Sequence, residues 1–363
     1  MKTMNLIYSQ LLILLFLVGC NFSNNDEPNF MAFDQIVNIT EFPKTYHLVD
    51  KSKPEIDIIG IRNFAIYDST LIIYTTRNDG IWTILSLPNY NDLGKYLKIG
   101  EGPLEFMQSP SVASNNSIIR ENNQLIAYLY DFEKGRILKF DIDKSVEQRT
   151  LDLEVLNDSI LPFLFNFAMI DSTTFFIKKF EYSPSRQIRQ IYKNGTLAIP
   201  KFMELLNNSS LMEGEDINIL STITKYSNIN KKIVEMPVGL NYLNIYSLDG
   251  SFSKSICIGN NPFNINTIQR TNMWNRTRTF DGLRVFKNYF AVIHINEKEI
   301  NYQMNRKKFP SILVFDWDGN PLMELKMESH ITSFDIDFIN KELYTFDVHS
   351  DEFYKYDISN IMN

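Results

Sequence analysis

An all-β ring of six four-stranded antiparallel blades, a six-bladed β-propeller, is the fold this sequence predicts. Three observations carry the prediction. The phrase "NFAIYDST" at 63–70 returns as "NFAMIDST" at 166–173, with six of eight positions identical across an offset of 103 residues. Half of that offset, about 51 residues, suits one four-stranded blade. Short aromatic and β-branched runs recur at that interval, and no sustained helical stripe interrupts them.

The first twenty residues read as an address. Lys2 supplies a positive start, and Leu6 to Val18 form an apolar run ending in "LVGC". Roughly 20 apolar residues are needed to cross a bilayer, so the run is read as a signal peptide. Gly19 before Cys20 resembles the lipobox of bacterial lipoproteins, in which the cysteine is lipidated and becomes the new N-terminus. Several acyl chains on one cysteine anchor stably. Residues 21–30 are polar and without period, which predicts a flexible tether, and 31–363 are left for the propeller. Asp26 and Glu27 resemble the acidic export signals of Bacteroidetes surface lipoproteins, or are solvated linker. The expected location is the cell envelope, anchored to the outer membrane on its periplasmic or its surface side.

Each blade is then legible by its second and third strands. "STLIIYT" (69–75), "NQLIAYL" (123–129), "NYFAVIH" (288–294) and "KELYTFD" (341–347) each follow a polar turn pair, as a β-hairpin requires. Third strands begin near 82, 137, 188, 243, 312 and 353, at spacings of 55, 51, 55, 69 and 41. Their residue classes alternate, which is the period of a strand. Asn194-Gly195, Asp249-Gly250 and Asp318-Gly319 close tight turns into fourth strands. Six third strands mean six blades. The last runs out of chain one strand short, while "KTYHLVD" (44–50) has no earlier partner, so pairing the two is expected to close the ring and cover an exposed edge.

The whole is 363 residues long, with net charge −7, 44% hydrophobic and 13% aromatic residues, which excludes a disordered chain. An acidic balance argues against nucleic acid, whose phosphates need a basic face. Cys257 has no partner within 31–363 and is expected to pack as a small apolar strand residue.

After the first blade comes "IGEGPLEF" (99–106), which resembles the Gly-x-Gly-Pro-x-Glu-Phe signature of the six-bladed, TolB-like (NHL-like) propeller lipoproteins common in Bacteroidetes; Leu104 stands where many members carry glycine. The resemblance implies a propeller and an envelope address and little chemistry. Without a following helix or Lys-Ser/Thr, a phosphate loop is not the reading. The glycines permit tight turning, Pro103 fixes the exit, and Glu105 is expected to accept backbone N–H bonds that hold the connector.

Function should then reside on one face. First-to-second and third-to-fourth turns share one face of a propeller; second-to-third and fourth-to-first connectors share the other, around the channel mouth. That puts Gly100–Phe106 at the mouth, with the connector Asn260–Asp281 and the insertion Asn296–Phe309 that account for the 69-residue spacing. Long connectors are where binding concentrates. The first packs Arg270, Trp274, Arg276 and Arg278 together, a combination that stacks on sugars and pairs with carboxylates. The plainer alternative is a tryptophan packed on the propeller top among solvated arginines. The second insertion reads as a charged loop. Glu101 and Glu105 are the best placed carboxylates of the mouth.

Catalysis finds little support. His47, His294, His330 and His349 lack metal-ligand spacing, and no nucleophile or zinc motif is present, so no cofactor is expected. "DST" at 68–70 and 171–173 and "DSI" at 158–160 resemble the acceptor of Bacteroidetes O-glycosylation, which makes Ser69, Ser172 and Ser159 candidate sites; Asp and Ser are also ordinary turn residues. The expectation is a lipid-anchored, non-catalytic binding module whose mouth face meets an envelope protein or a carbohydrate-like ligand. The alternatives are a lactonase-like, metal-dependent hydrolase or lyase at the mouth, and a subunit of an envelope complex.

Overall fold

A computed structural model describes residues 28–77, 80–112, 116–160, 163–164 and 166–361. The expected signal peptide, the expected lipobox Cys20 and residues 21–27 of the expected tether lie outside the described residues.

Six sheets follow one another along the chain. Blade 1 is Ile61–Tyr67, Thr70–Thr75, Trp82–Ser86 and Asp92–Tyr96; blade 2 is Asn116–Glu121, Gln124–Asp131, Arg136–Asp141 and Leu153–Asn157. Blade 3 is Asn166–Asp171, Thr174–Tyr182, Ser185–Lys193 and Thr196–Ala198, with Ser210–Leu211 added to its third strand. Blade 4 is Thr222–Ser227, Lys232–Pro237, Tyr242–Ser247 and Ser253–Ile258, and blade 5 is Thr277–Val285, Tyr289–Lys298, Ser311–Asp316 and Pro321–Met327. Blade 6 has three strands, Ser333–Asp337, Glu342–Asp347 and Glu352–Asp357. The repeated phrase occupies the first strand and first turn of blades 1 and 3, two places apart in the ring. Gly195, Gly250 and Gly319 sit at positive φ in the three predicted turns, a conformation that costs glycine least.

The core explains why the strands look as they do. Apolar side chains form six clusters, one at each junction between neighbouring blades. Along Gln124–Asp131, Leu125, Ala127 and Leu129 pack towards blade 1, while Ile126, Tyr128 and Tyr130 pack towards blade 3. Alternation therefore sorts residues between two neighbours, and the strand reads as a continuous apolar run. Cys257 is buried in the blade 3–4 cluster, as an apolar strand residue should be.

One junction also holds charge. Between blades 3 and 4, Arg189 donates to Glu235 at 2.7, 2.8 and 3.0 Å, Lys178 stands 3.6 Å from the same carboxylate, and Tyr246 donates to it. Burial would push the Glu235 carboxyl up; Arg189 and Lys178 outweigh it and hold it down to about 2. The carboxylate thus bolts two blades in a fully buried interface.

Closure differs in detail from the strand expected at 44–50. The N-terminal segment crosses three blades as a strap. Ile36–Ile39 lies parallel to the outer strand of blade 4, and Thr45–Leu48 lies parallel to the outer strand of blade 5. The segment meets the last blade further on, where Ser52 and Lys355 exchange two backbone hydrogen bonds of 3.0 and 2.9 Å. The strand expected on blade 6 thus lies on blade 5. Blades 4 and 5 already hold four strands each and take the strap as a fifth, because any outer edge offers the same unpaired N–H and C=O groups.

Candidate functional site

The Gly100–Phe106 turn is a structural plug. Phe106 is fully buried in the blade 1–2 cluster, and Gly100 N donates to its carbonyl at 3.0 Å. The Glu105 carboxylate folds back to accept from Gly102 N at 3.0 Å. A Cβ on Gly100 would meet Glu105 Oε2 at 2.1 Å, and one on Gly102 would meet it at 2.8 Å, so both glycines make room for that carboxylate. Lys134 and Arg136 of blade 2 donate to the carbonyls of Gly102, Pro103 and Glu105. Glu105 performs the connector-holding role read from the sequence, and Glu101 is exposed at the tip of the turn.

On the opposite side of the ring lies a cleft of about 970 Å³ between blades 4 and 5. Its walls come from the ends of strands that point to the mouth face. Ile258–Asn264 leave the outer strand of blade 4, Thr277 and Thr279 open the first strand of blade 5, and His294 and Asn296 end its second. Asn241 and the strap residues Ile39 and Thr40 complete the rim. Asparagine supplies six lining residues and threonine five, with Arg276 and His294 as the titratable ones and no Asp or Glu.

Two features fix its electrostatics. Arg276 is already engaged: it pairs with Asp216 at 3.1 Å, stands 3.9 Å from Glu215, and donates to Thr271 O at 3.0 Å. His294 is pulled down to about 4 by burial and by the charge of Lys308, so its imidazole is neutral near pH 7. The Thr279 hydroxyl is buried in the lining with no partner among the described residues. The Asn241 amide is consumed in holding the wall, donating to the carbonyls of Ile258 and Asn261.

The other expected residues fall around this cleft in different roles. Arg278 pairs with Asp281 at 3.0 Å and stacks 4.8 Å from the centre of the Tyr302 ring. It clamps the two insertions together. The Asn296–Phe309 segment is not merely a charged loop: it carries the helix Glu299–Met304, whose first N–H donates to Arg276 O at 2.9 Å. Trp274 sits on a single exposed turn, Met273–Asn275, beside the cleft; at 45% exposure it is no core plug. Arg270 caps the short helix Ile265–Gln269 and is exposed. Glu101 and Glu105, at the blade 1–2 junction, do not line the cleft. Sequence reading missed Asn241, Thr279 and His294, which three separate strands and connectors contribute.

Ser69 and Ser172 are exposed on first-to-second turns, on the face away from the mouth, and Ser159 is exposed on a fourth-to-first connector. Among the described residues, no three His, Cys, Asp or Glu side chains stand close enough to hold a metal ion.

A family model described as TolB-like 6-blade propeller-like matches residues 63–338. Among solved structures the chain is similar to regucalcin from Agrobacterium tumefaciens, described as a calcium-binding protein. The two share 10% sequence identity with a TM-score of 0.43, over 86% of this chain and 95% of that one. No curated protein sequence matches the chain.

Proposed function

The chain belongs to the TolB-like family of six-bladed propellers, and from that premise we propose that it is a lipid-anchored, non-catalytic binding module of the cell envelope whose mouth-face cleft takes a neutral, carbohydrate-like ligand. The observation that carries this reading is the chemistry of the cleft lining: eleven Asn and Thr residues, six and five respectively, with no Asp or Glu. Amide and hydroxyl groups offer paired donors and acceptors, which suit sugar hydroxyls. Arg276 has its charge taken up by Asp216, and His294 is neutral, so little in the cleft rewards a charged ligand. The buried Thr279 hydroxyl is a polar group that lacks a partner among the described residues and gains one when a ligand binds. Trp274 gives an apolar face at the edge on which a sugar ring can stack.

Anchoring through Cys20 fits this geometry. Asn29 is held by Ser210 and Asn266, next to the helix whose Thr267 and Ile268 line the cleft. Nine residues span at most about 30 Å, so the tether would keep Asn29 within that distance of the bilayer. Incorporation of an alkyne-labelled fatty acid is expected in the wild type and absent from Cys20→Ala.

A panel of neutral oligosaccharides, tested against the detergent-solubilised full chain, examines the ligand class. Binding is expected to weaken at least about tenfold in Thr267→Trp, which fills the cleft, and in Trp274→Ala. Affinity should stay level between about pH 5.5 and 7.5, because His294 takes up its proton only near pH 4. Equal binding by Thr267→Trp, with its thermal stability unchanged, would remove the cleft from consideration.

A further inference from the structure

We propose that the central channel holds a small inorganic anion, a halide or a single tetrahedral oxyanion, at the level of Lys225. The channel is lined there by the first strands of successive blades. Tyr67 comes from blade 1, Ser117 from blade 2, Met169 from blade 3, Lys225 from blade 4 and Arg284 from blade 5; together they enclose about 80 Å³. Blade 6 closes the circle with Asp335, which is fully buried and paired with Arg284. A volume of this size accommodates roughly two or three waters, or one oxyanion in their place.

The donors and acceptors of this chamber do not balance. Asp335 is its one carboxylate, and each of its oxygens already accepts: Ile66 N at 2.6 Å and Arg284 donate to Oδ2, and Ile336 N donates to Oδ1 at 2.9 Å. Arg284 Nε–H is buried with no acceptor among the described residues. Lys225 forms no hydrogen bond or ion pair among the described residues, although it faces the cavity. Ser117 Oγ accepts from Met169 N at 2.8 Å, which leaves its own hydroxyl proton to donate. Tyr67 is held neutral, because burial raises its phenol, and it accepts from Arg284.

Two cations thus face one carboxylate, and three donors on three blades lack an acceptor. A water cluster would satisfy the hydrogen bonds and leave the surplus charge to be shed by deprotonation of Lys225. An anion satisfies both. The cost of leaving the charge unmatched is visible at Lys225, whose amine burial and the Arg284 charge hold down to about 7, against the pull of Asp335. The mouth-face cleft takes no part, so this inference stands whether or not that cleft binds a sugar.

Bromide provides the direct probe, since its anomalous scattering marks its position. Crystals of the full chain soaked in sodium bromide are expected to show an anomalous peak on the ring axis, within hydrogen-bonding distance of Lys225 Nζ and Ser117 Oγ. Lys225→Met, nearly isosteric and uncharged, should lose the peak; Lys225→Arg should keep it. In solution, replacing gluconate by chloride or phosphate at constant ionic strength should raise the wild-type melting temperature by at least about 2 °C, and the more effective anion identifies the occupant. The proposal is overturned by a wild-type soak without an axial peak, by Lys225→Met retaining it, or by equal melting temperatures in all three anions. If Lys225→Met does not fold, the wild-type soak and the anion series decide the matter.

Discussion

Gly100, Gly102 and Glu105 illustrate how one side chain dictates its neighbours. The carboxylate occupies the space where a Cβ on Gly100 would stand, 2.1 Å away, and uses that position to accept from Gly102 N. The glycines are therefore needed for volume, since neither is at positive φ. Gly100→Ala is expected to cost about 1–3 kcal/mol through overpacking, and much less in a Glu105→Ala background where the obstacle is gone. Urea denaturation of the four variants of this cycle measures it; additive effects would show that Glu105 is not what excludes the methyl group. This role was legible in the sequence because all its parts lie within seven residues. The cleft was not. Thr279 and His294 lie on neighbouring strands of blade 5 and Asn241 on a connector of blade 4, so they meet only after the ring has formed. No local spacing encodes that meeting.

At the scale of elements, strands were readable and their additions were not. Second and third strands announce themselves because both faces are buried, which enforces long apolar runs bounded by turn residues. The helix Glu299–Met304 offers no such signal: six residues are too few to show a helical period, and Tyr302 is its one buried side chain. What fixes it is a clamp. The Tyr302 ring lies between Arg278, 4.8 Å from its centre, and Arg306, 5.4 Å away, and both arginines are paired, with Asp281 and Asp347 respectively. Tyr302→Ala removes the ring from between two guanidinium groups and leaves a cavity, which is expected to cost about 3 kcal/mol. Because the helix N-terminus bonds to Arg276 O on the edge of the cleft, the same variant should also weaken ligand binding, whereas Tyr302→Phe should restore both. Full binding by a Tyr302→Ala protein of reduced stability would show that the insertion supports the fold alone.

The molecule as a whole is a ring whose ends do not meet in the simplest way. A propeller closed by one shared strand would place its seam in a single blade. Here residues 29–52 run across blades 4, 5 and 6, with Met31, Phe33, Ile39 and Leu48 buried along the way, before blade 1 begins at Ile61. Each crossing covers an outer edge that would otherwise be open to another chain. The strap also satisfies the interior of blade 4: Asn244 Nδ2 donates to Met31 O at 2.8 Å, Phe33 N donates to Ser255 Oγ at 2.8 Å, and Tyr242 Oη accepts from Met31 N at 3.0 Å. A chain beginning at Glu41 therefore loses more than an edge strand, since Asn244 and Ser255 are left buried without those partners, at about 1–3 kcal/mol each. Hydrogen exchange reads the consequence by region. Removing residues 1–40 should speed exchange first in Tyr242–Ser247 and Ser253–Ile258, while blades 1 and 2, which the strap does not touch, keep their protection. A uniform loss of protection over all six blades would instead mean that the ring opens as one cooperative unit, with blade 4 no weaker than the rest.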